Sequence, residues 1–140
     1  MFRRSSRVLW ATLFAAVSCG ALPLAGCGPS GPAQFHVSGQ VTWQGKPVPA
    51  GMVLFSPDVR KGNSGPQGYA EIHNGQYSTR EGEGRATVGG PHIVSVIGFD
   101  GQNPTEESPH GRRLFPEYQM EYDLPESQGT LDIVVPDARQ

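Results

Sequence analysis

Glycine and proline interrupt this chain so often that only short structural elements fit between them. The sequence holds 19 Gly and 13 Pro among 140 residues, and both types destabilise a helix interior. The apolar residues between them form short runs, several of which alternate with polar residues as a half-buried strand does. No stretch keeps a helical period over ten residues. The sequence therefore predicts an all-β fold.

Individual strands can be placed from these runs. The segment Phe35–Trp43 (FHVSGQVTW) puts apolar side chains on one face and polar ones on the other. Gly68–His73 and Gln76–Arg80 flank Asn74-Gly75, a pair that accepts the positive φ angles of a type I′ hairpin turn. His92–Phe99 is almost continuously apolar, which is typical of a central strand. Further strands are predicted at Gly51–Ser56, Tyr118–Leu124 and Thr130–Val135.

About seven short strands in roughly 100 residues predict an antiparallel Greek-key β-sandwich. Its core should consist of the apolar residues on the inward faces of these strands. The predicted core residues are Val37, Val41, Trp43, Val53, Phe55, Ile72, Tyr77, Ile93, Val94, Val96, Ile133 and Val135.

The first 26 residues have the three parts of a secretory signal peptide. Met1–Arg7 carries three Arg and no acidic residue, Val8–Leu24 is apolar or small, and small residues follow. Leu24-Ala25-Gly26-Cys27 resembles the lipobox of bacterial lipoproteins. The resemblance implies that Cys27 receives a diacylglycerol, that the chain is cut before it, and that acyl chains such as palmitate anchor it in a membrane. Each buried CH₂ contributes about 0.8 kcal/mol, so two or three chains hold stably.

Two alternatives remain open for this N-terminal segment. Cleavage after Gly20 would release a secreted protein, and an uncleaved segment would be a marginal membrane span. The residue after Cys27 is Gly28 rather than Asp. In the lipoprotein resemblance, this favours the outer membrane over the inner one, with the chain facing the periplasm or the cell surface.

The predicted organisation is a signal peptide at 1–26, a flexible tether at 27–34 and one β-domain at 35–140. The tether is rich in Gly, Pro and Ser. Cleavage would remove three of the 11 basic residues and none of the 13 acidic ones, leaving a net charge of −5. This charge argues against nucleic acid as a partner. Because Cys19 would be removed and Cys27 lipidated, no disulfide or thiolate metal site is expected.

Three segments of the domain resemble carboxypeptidase regulatory-like domains. They are Val37–Thr42 (VSGQVT) followed by Gly45–Phe55, the hairpin Ala70–Tyr77 with its Asn-Gly turn, and Gly89–Val96 (GGPHIVSV). The resemblance covers about Phe35–Phe99. It implies a transthyretin-like, prealbumin-type β-sandwich that serves as a non-catalytic accessory or binding module.

No catalytic or metal-binding pattern accompanies this resemblance. The sequence lacks a G-x-S-x-G elbow, and its four His residues fall in no metal-ligand motif. His36 and His73 would be neighbours only if their strands paired. We therefore expect no enzyme activity, cofactor or metal, with an unrecognised hydrolase as the remote alternative.

The best binding candidates are two long polar loops, 58–67 and 100–116. In the second, Arg112 and Arg113 could meet a carboxylate or a sulfated sugar. Phe115 and Tyr118 could offer stacking faces beside them. The sequence thus predicts a membrane-anchored interaction module with envelope proteins as possible partners, or alternatively a glycan- or peptide-binding module. A solvated loop without a ligand also fits.

Overall fold

A computed structural model describes residues 31–137, which form a mostly antiparallel β-sheet with almost no helix. The strands are β1 (Val37–Trp43), β2 (Lys46–Pro47), β3 (Ala50–Pro57), β4 (Gly68–His73), β5 (Gln76–Ser78), β6 (Gly90–Phe99), β7 (Tyr118–Leu124), β8 (Gly129–Thr130) and β9 (Ile133–Val135). One 3-10 helix covers Val59–Lys61. The all-β prediction is confirmed. The predicted signal peptide, Cys27 and the first part of the tether lie outside the described residues.

The strands form one sheet in the order β2-β1-β5-β4-β3-β6-β7, with β8 and β9 also paired to β1. The sheet curls into a half-barrel around a single hydrophobic core. As predicted, β6 is an interior strand, between β3 and β7. Strand β7 lies at an edge of the sheet. The pairings of β8 and β9 with β1 are parallel, and all others are antiparallel.

Two tight hairpins set the register of the sheet. The predicted Asn-Gly hairpin joins β4 to β5, with φ angles of 50° at Asn74 and 81° at Gly75. Gln44 and Gly45 join β1 to β2 with φ angles of 52° and 71°. Positive φ at both central residues is the mark of the type I′ turn, whose twist suits two antiparallel strands.

Ten of the twelve predicted core residues are buried, and two are not. Ile93 was wrongly placed in the core, because it pairs with Ser56 on the outer face while His92 and Val94 point inward. In a continuous apolar run, the residues on both faces of the strand are apolar. The sequence alone therefore does not show which of them face the core. Trp43 is only partly buried and packs against the core. Residues missed by the prediction are Val48, Ala70, Val88, Phe115, Leu124 and Leu131.

The predicted C-terminal strand Thr130–Val135 is broken into β8 and β9. Between them, the backbone N–H of Gln40 donates to the Asp132 side chain at 2.9 Å instead of to a main-chain carbonyl. The carbonyl of Leu131 accepts the buried Tyr77 hydroxyl at 2.6 Å. Side chains therefore take up both the donor and the acceptor of one bond of the parallel ladder, which interrupts the strand.

Candidate functional site

The connection between β6 and β7 is the longest in residues 31–137, and it is folded back on itself. Its two arms pair through backbone bonds from Asp100 N to Arg112 O at 2.9 Å and from Gly101 N to His110 O at 3.0 Å. Leu114 N donates to Gly98 O at 2.9 Å and ties the returning arm to β6. The loop at 100–116 thus has a defined backbone that can hold side chains in place.

The Asp100 side chain holds the two arms of this loop together. Its Oδ1 accepts the backbone N–H of Gln102 at 3.0 Å and that of Arg112 at 2.9 Å. These two bonds, followed by the positive charge of Arg112, lower the pKa of the Asp100 carboxyl from its usual value, so the group is ionised at neutral pH. Gly111, at φ 83°, leaves the space for the carboxylate, because a Cβ there would overlap it.

Two adjoining hollows lie beside the loop, and we call them together the loop cleft. The larger, of about 680 Å³, is lined by Phe99, Asp100, Gln102, Asn103, Thr105, Ser108, Gly111, Arg112 and Arg113. The smaller, of about 380 Å³, shares Asp100, Gln102 and Arg112 and adds Trp43, Gln44, Lys46, Pro47, Val48, Pro49 and Leu114. The β1–β2 hairpin and the 100–116 loop, which are distant in sequence, therefore build one surface.

Trp43 forms part of the wall of the smaller hollow. Its ring centroid lies 5.5 Å from that of Phe115 at a tilted angle of 51°. Its Nε1 is buried and hydrogen-bonds to no other atom in residues 31–137, and most buried N–H groups do find such a partner. Trp43 therefore lines the smaller hollow, and its fluorescence can report changes in the loop cleft.

The loop cleft carries an excess of positive charge. Lys46, Arg112 and Arg113 line it, against the single carboxylate of Asp100. Within the described part of the chain, Lys46 and Arg113 make no ion pair, and Arg112 Nε stands 3.7 Å from Asp100 Oδ2. The Arg112 side chain is 85% exposed, so its guanidinium can reach a ligand.

Neither of the two aromatic residues predicted for binding lines the loop cleft. Phe115 is only 6% exposed and belongs to the hydrophobic core. Its ring lies against Gly98, where an added Cβ would come within 2.6 Å of Phe115 Cε1. Tyr118 is partly buried and packs against the same core. The structure thus places Arg112 and Arg113 at the loop cleft, without the two aromatic residues that were expected beside them.

The other candidate loop, 58–67, lies at the opposite end of the sheet. Pro57 pairs with His92, whereas Ala50 pairs with Phe99, seven residues further along β6. At 3.4 Å per residue this separates the loops by about 24 Å. The structure therefore does not bring the two loops into one site.

Internal bonds account for the shape of the 58–67 loop. Asp58 is 1% exposed, and its Oδ1 accepts the backbone N–H of Arg60 at 3.0 Å and caps the 3-10 helix. The hydrogen bond from the Arg60 side chain, together with the nearby positive charges, lowers the pKa of Asp58. Arg60 and Lys61 also pair with Glu121 on β7. This loop is thereby fastened to the sheet edge.

The histidines are dispersed. His36 and His73 are not neighbours, because β5 lies between β1 and β4. His36 Nδ1 lies 3.2 Å from Thr79 Oγ1, and His73 Nε2 lies 3.2 Å from Glu71 Oε2. Across residues 31–137, no three His, Cys, Asp or Glu side chains come together as metal ligands would.

His92 is a buried structural residue, a role that no sequence pattern indicated. Its Nδ1 lies 2.8 Å from the Gly90 carbonyl, which can only accept, so Nδ1 carries the proton. Its Nε2 lies 2.8 Å from Thr87 Oγ1, and the Thr87 hydroxyl is also 3.3 Å from the Val88 carbonyl. Both ring nitrogens therefore have a hydrogen-bond partner, and the ring links β6 to the preceding loop.

Two comparisons with known proteins identify no relative from which a function could be assigned to this chain. A scan against protein-family models found no matching family, and a search of curated proteins found no matching relative. Among the described residues, no helix has the length and apolar character needed to cross a membrane.

Proposed function

We propose that this chain is a lipoprotein of the bacterial cell envelope, anchored through Cys27 and carrying a non-catalytic interaction domain. The observation that carries the proposal is the order of a basic segment, an apolar segment and Leu24-Ala25-Gly26-Cys27. Gly28 favours the outer membrane. In this proposal residues 1–26 are the signal peptide and 27–34 the tether.

The short tether would keep the domain close to the membrane. Eight residues reach at most about 28 Å when fully extended, and β1 begins at Val37. A domain held at this distance would meet other components of the same envelope layer. This supports a role in interaction at the envelope.

We further propose that the domain is a carboxypeptidase regulatory-like domain, with the Greek-key sandwich typical of transthyretin-like folds. The residues that carry the resemblance have structural roles that support this proposal. Gly39 allows the close approach of Leu131, and Tyr77 donates a buried hydrogen bond to the Leu131 carbonyl. Asn74 and Gly75 form the hairpin turn.

A second candidate function is recognition of a glycan or a peptide. It is favoured by the loop cleft, where two chain segments place cationic, amide and hydroxyl side chains around adjoining hollows. Arg112 and Arg113 remain the binding residues in this proposal. Phe115 and Tyr118 act instead by supporting the loop from the core side.

The anchor is tested by metabolic labelling with radioactive palmitate in a host that processes lipoproteins. The two Cys residues supply a matched pair of variants, Cys27→Ser and Cys19→Ser. The wild type and Cys19→Ser should incorporate label, and Cys27→Ser should incorporate none. Label retained by Cys27→Ser, or absent from the wild type, would contradict the proposal. Crosslinking of the labelled protein in intact cells then identifies envelope partners.

A further inference from the structure

We infer that the loop cleft binds a carboxylate-bearing oligosaccharide, such as one built of uronic acids, through Lys46, Arg112 and Arg113. This inference rests on the proposed recognition function and specifies its ligand class. It concerns only the 100–116 loop and the β1–β2 hairpin, and it is independent of how the chain is anchored.

The first argument is the supply of available positive charge. Lys46 comes from β2 and the two Arg from the loop, so the fold gathers cations that are far apart in sequence. Elsewhere, Arg60 and Lys61 are paired with carboxylates at 2.6 to 3.1 Å, whereas in the loop cleft only Arg112 faces a carboxylate, with its Nε 3.7 Å from Asp100 Oδ2. A guanidinium offers planar, paired donors that match a carboxylate. The loop cleft therefore suits an anionic ligand.

The second argument is the carboxylate of Asp100 among these cations. Its Oδ1 accepts two backbone N–H groups, and its Oδ2 lies 3.7 Å from Arg112 Nε, beyond hydrogen-bond distance, so Oδ2 keeps acceptor capacity. A purely anionic ligand would be repelled by this group. A sugar acid carries hydroxyl donors as well as a carboxylate, so one ligand can satisfy both Asp100 and the surrounding cations.

The third argument is the remainder of the lining. Gln102 and Asn103 supply amides, and Thr105 and Ser108 supply hydroxyls, all of which exchange hydrogen bonds with sugar hydroxyls. Pro47 and Pro49 give the smaller hollow an apolar wall. Two adjoining hollows with mixed polar and apolar walls suit consecutive sugar units.

The test is a titration of the full chain carrying Trp10→Phe, in which Trp43 is the sole indole. Oligogalacturonate is the probe, the neutral galactose oligomer of equal length is the control ligand, and dextran sulfate tests a sulfated source. Oligogalacturonate should change Trp43 emission saturably, and calorimetry of the same mixture gives the affinity independently. Binding should be about tenfold weaker for the neutral oligomer and should weaken as salt is added.

Variants locate the site. Arg112→Gln combined with Arg113→Gln should weaken oligogalacturonate binding at least about tenfold, since charge-assisted bonds are lost. Arg85→Gln is the matched control, because Arg85 is exposed and lines neither hollow. It should leave the affinity within about twofold. Thermal unfolding of each variant checks that the fold is retained.

Several results would overturn the inference. These are no heat and no emission change, equal binding of the neutral oligomer, binding of dextran sulfate alone, or equal losses in the double variant and Arg85→Gln. Palmitate labelling of Cys27 is unaffected by any of them. A failure of the ligand assignment is therefore distinguishable from a failure of the anchor.

Discussion

Replacing Gly39 by Ala should damage the fold more than a single methyl group ordinarily would. A Cβ on Gly39 would overlap the carbonyl oxygen of Leu131 and lie 2.7 Å from its carbonyl carbon. Both are backbone atoms, so no side-chain rotation relieves the clash. Gly39 has no positive φ, and the expected effect is therefore steric alone. The segment joining β8 to β9 has to move away from β1.

The cost can be worked from the bonds that this movement breaks. Leu131 N donates to Ser38 O at 2.9 Å, Tyr77 Oη to Leu131 O at 2.6 Å, and Gln40 N to Asp132 Oδ1 at 2.9 Å. Each is worth about 0.5–1.5 kcal/mol, and overpacking adds about 1–3 kcal/mol. Because these contributions overlap, we expect the free energy of unfolding to fall by about 3–5 kcal/mol.

Urea unfolding in the Trp10→Phe background, followed by Trp43 fluorescence, measures this loss. Gly31→Ala is the control, because Gly31 is exposed and has no atom within 4 Å of an added Cβ. It should change the free energy of unfolding by less than about 0.5 kcal/mol. A loss below about 1 kcal/mol in Gly39→Ala would refute the close approach of the two backbones.

Other predictions follow from the buried polar groups and the loop. Tyr77→Phe should cost about 1–3 kcal/mol, measured by urea unfolding, because the Leu131 carbonyl loses its donor. Burial raises the pKa of Tyr77, so the wild type should lose stability as pH rises above about 10 and Tyr77→Phe should lose less. Nitrogen NMR should show a proton on His92 Nδ1, and an Nδ1 without a proton would contradict the bonding described. Asp100→Ala should speed hydrogen exchange at the Gln102 amide and leave exchange in β6 unchanged. Unchanged exchange at Gln102 would refute the role of Asp100 in holding the loop together.

Local patterns were sufficient to predict the longer strands. The Asn74-Gly75 turn and the alternation over Phe35–Trp43 are set by residues close in sequence, and the structure has both features. The run at His92–Phe99 was correctly assigned to a strand but not oriented. Its inward residues are chosen by pairing with β3, which no short window contains.

Features that depend on contacts between residues far apart in the sequence could not be predicted from it. Phe115 lies in a polar loop, yet it packs on Trp43 because the loop folds back over the sheet. The separation of the two candidate loops follows from the antiparallel pairing of β3 with β6. Lys46 joined the site only through the β1–β2 hairpin, and its Gly-Lys-Pro context indicated no more than an exposed turn.

Anchoring through Cys27 is the central claim, and intact-mass analysis of the protein extracted from membranes tests it most directly. The proposal predicts a chain that begins at Cys27 and carries the added mass of a diacylglycerol, with or without a further acyl chain on its amine. A chain that begins at Ala21 without added mass, or one that retains residues 1–26, would contradict it.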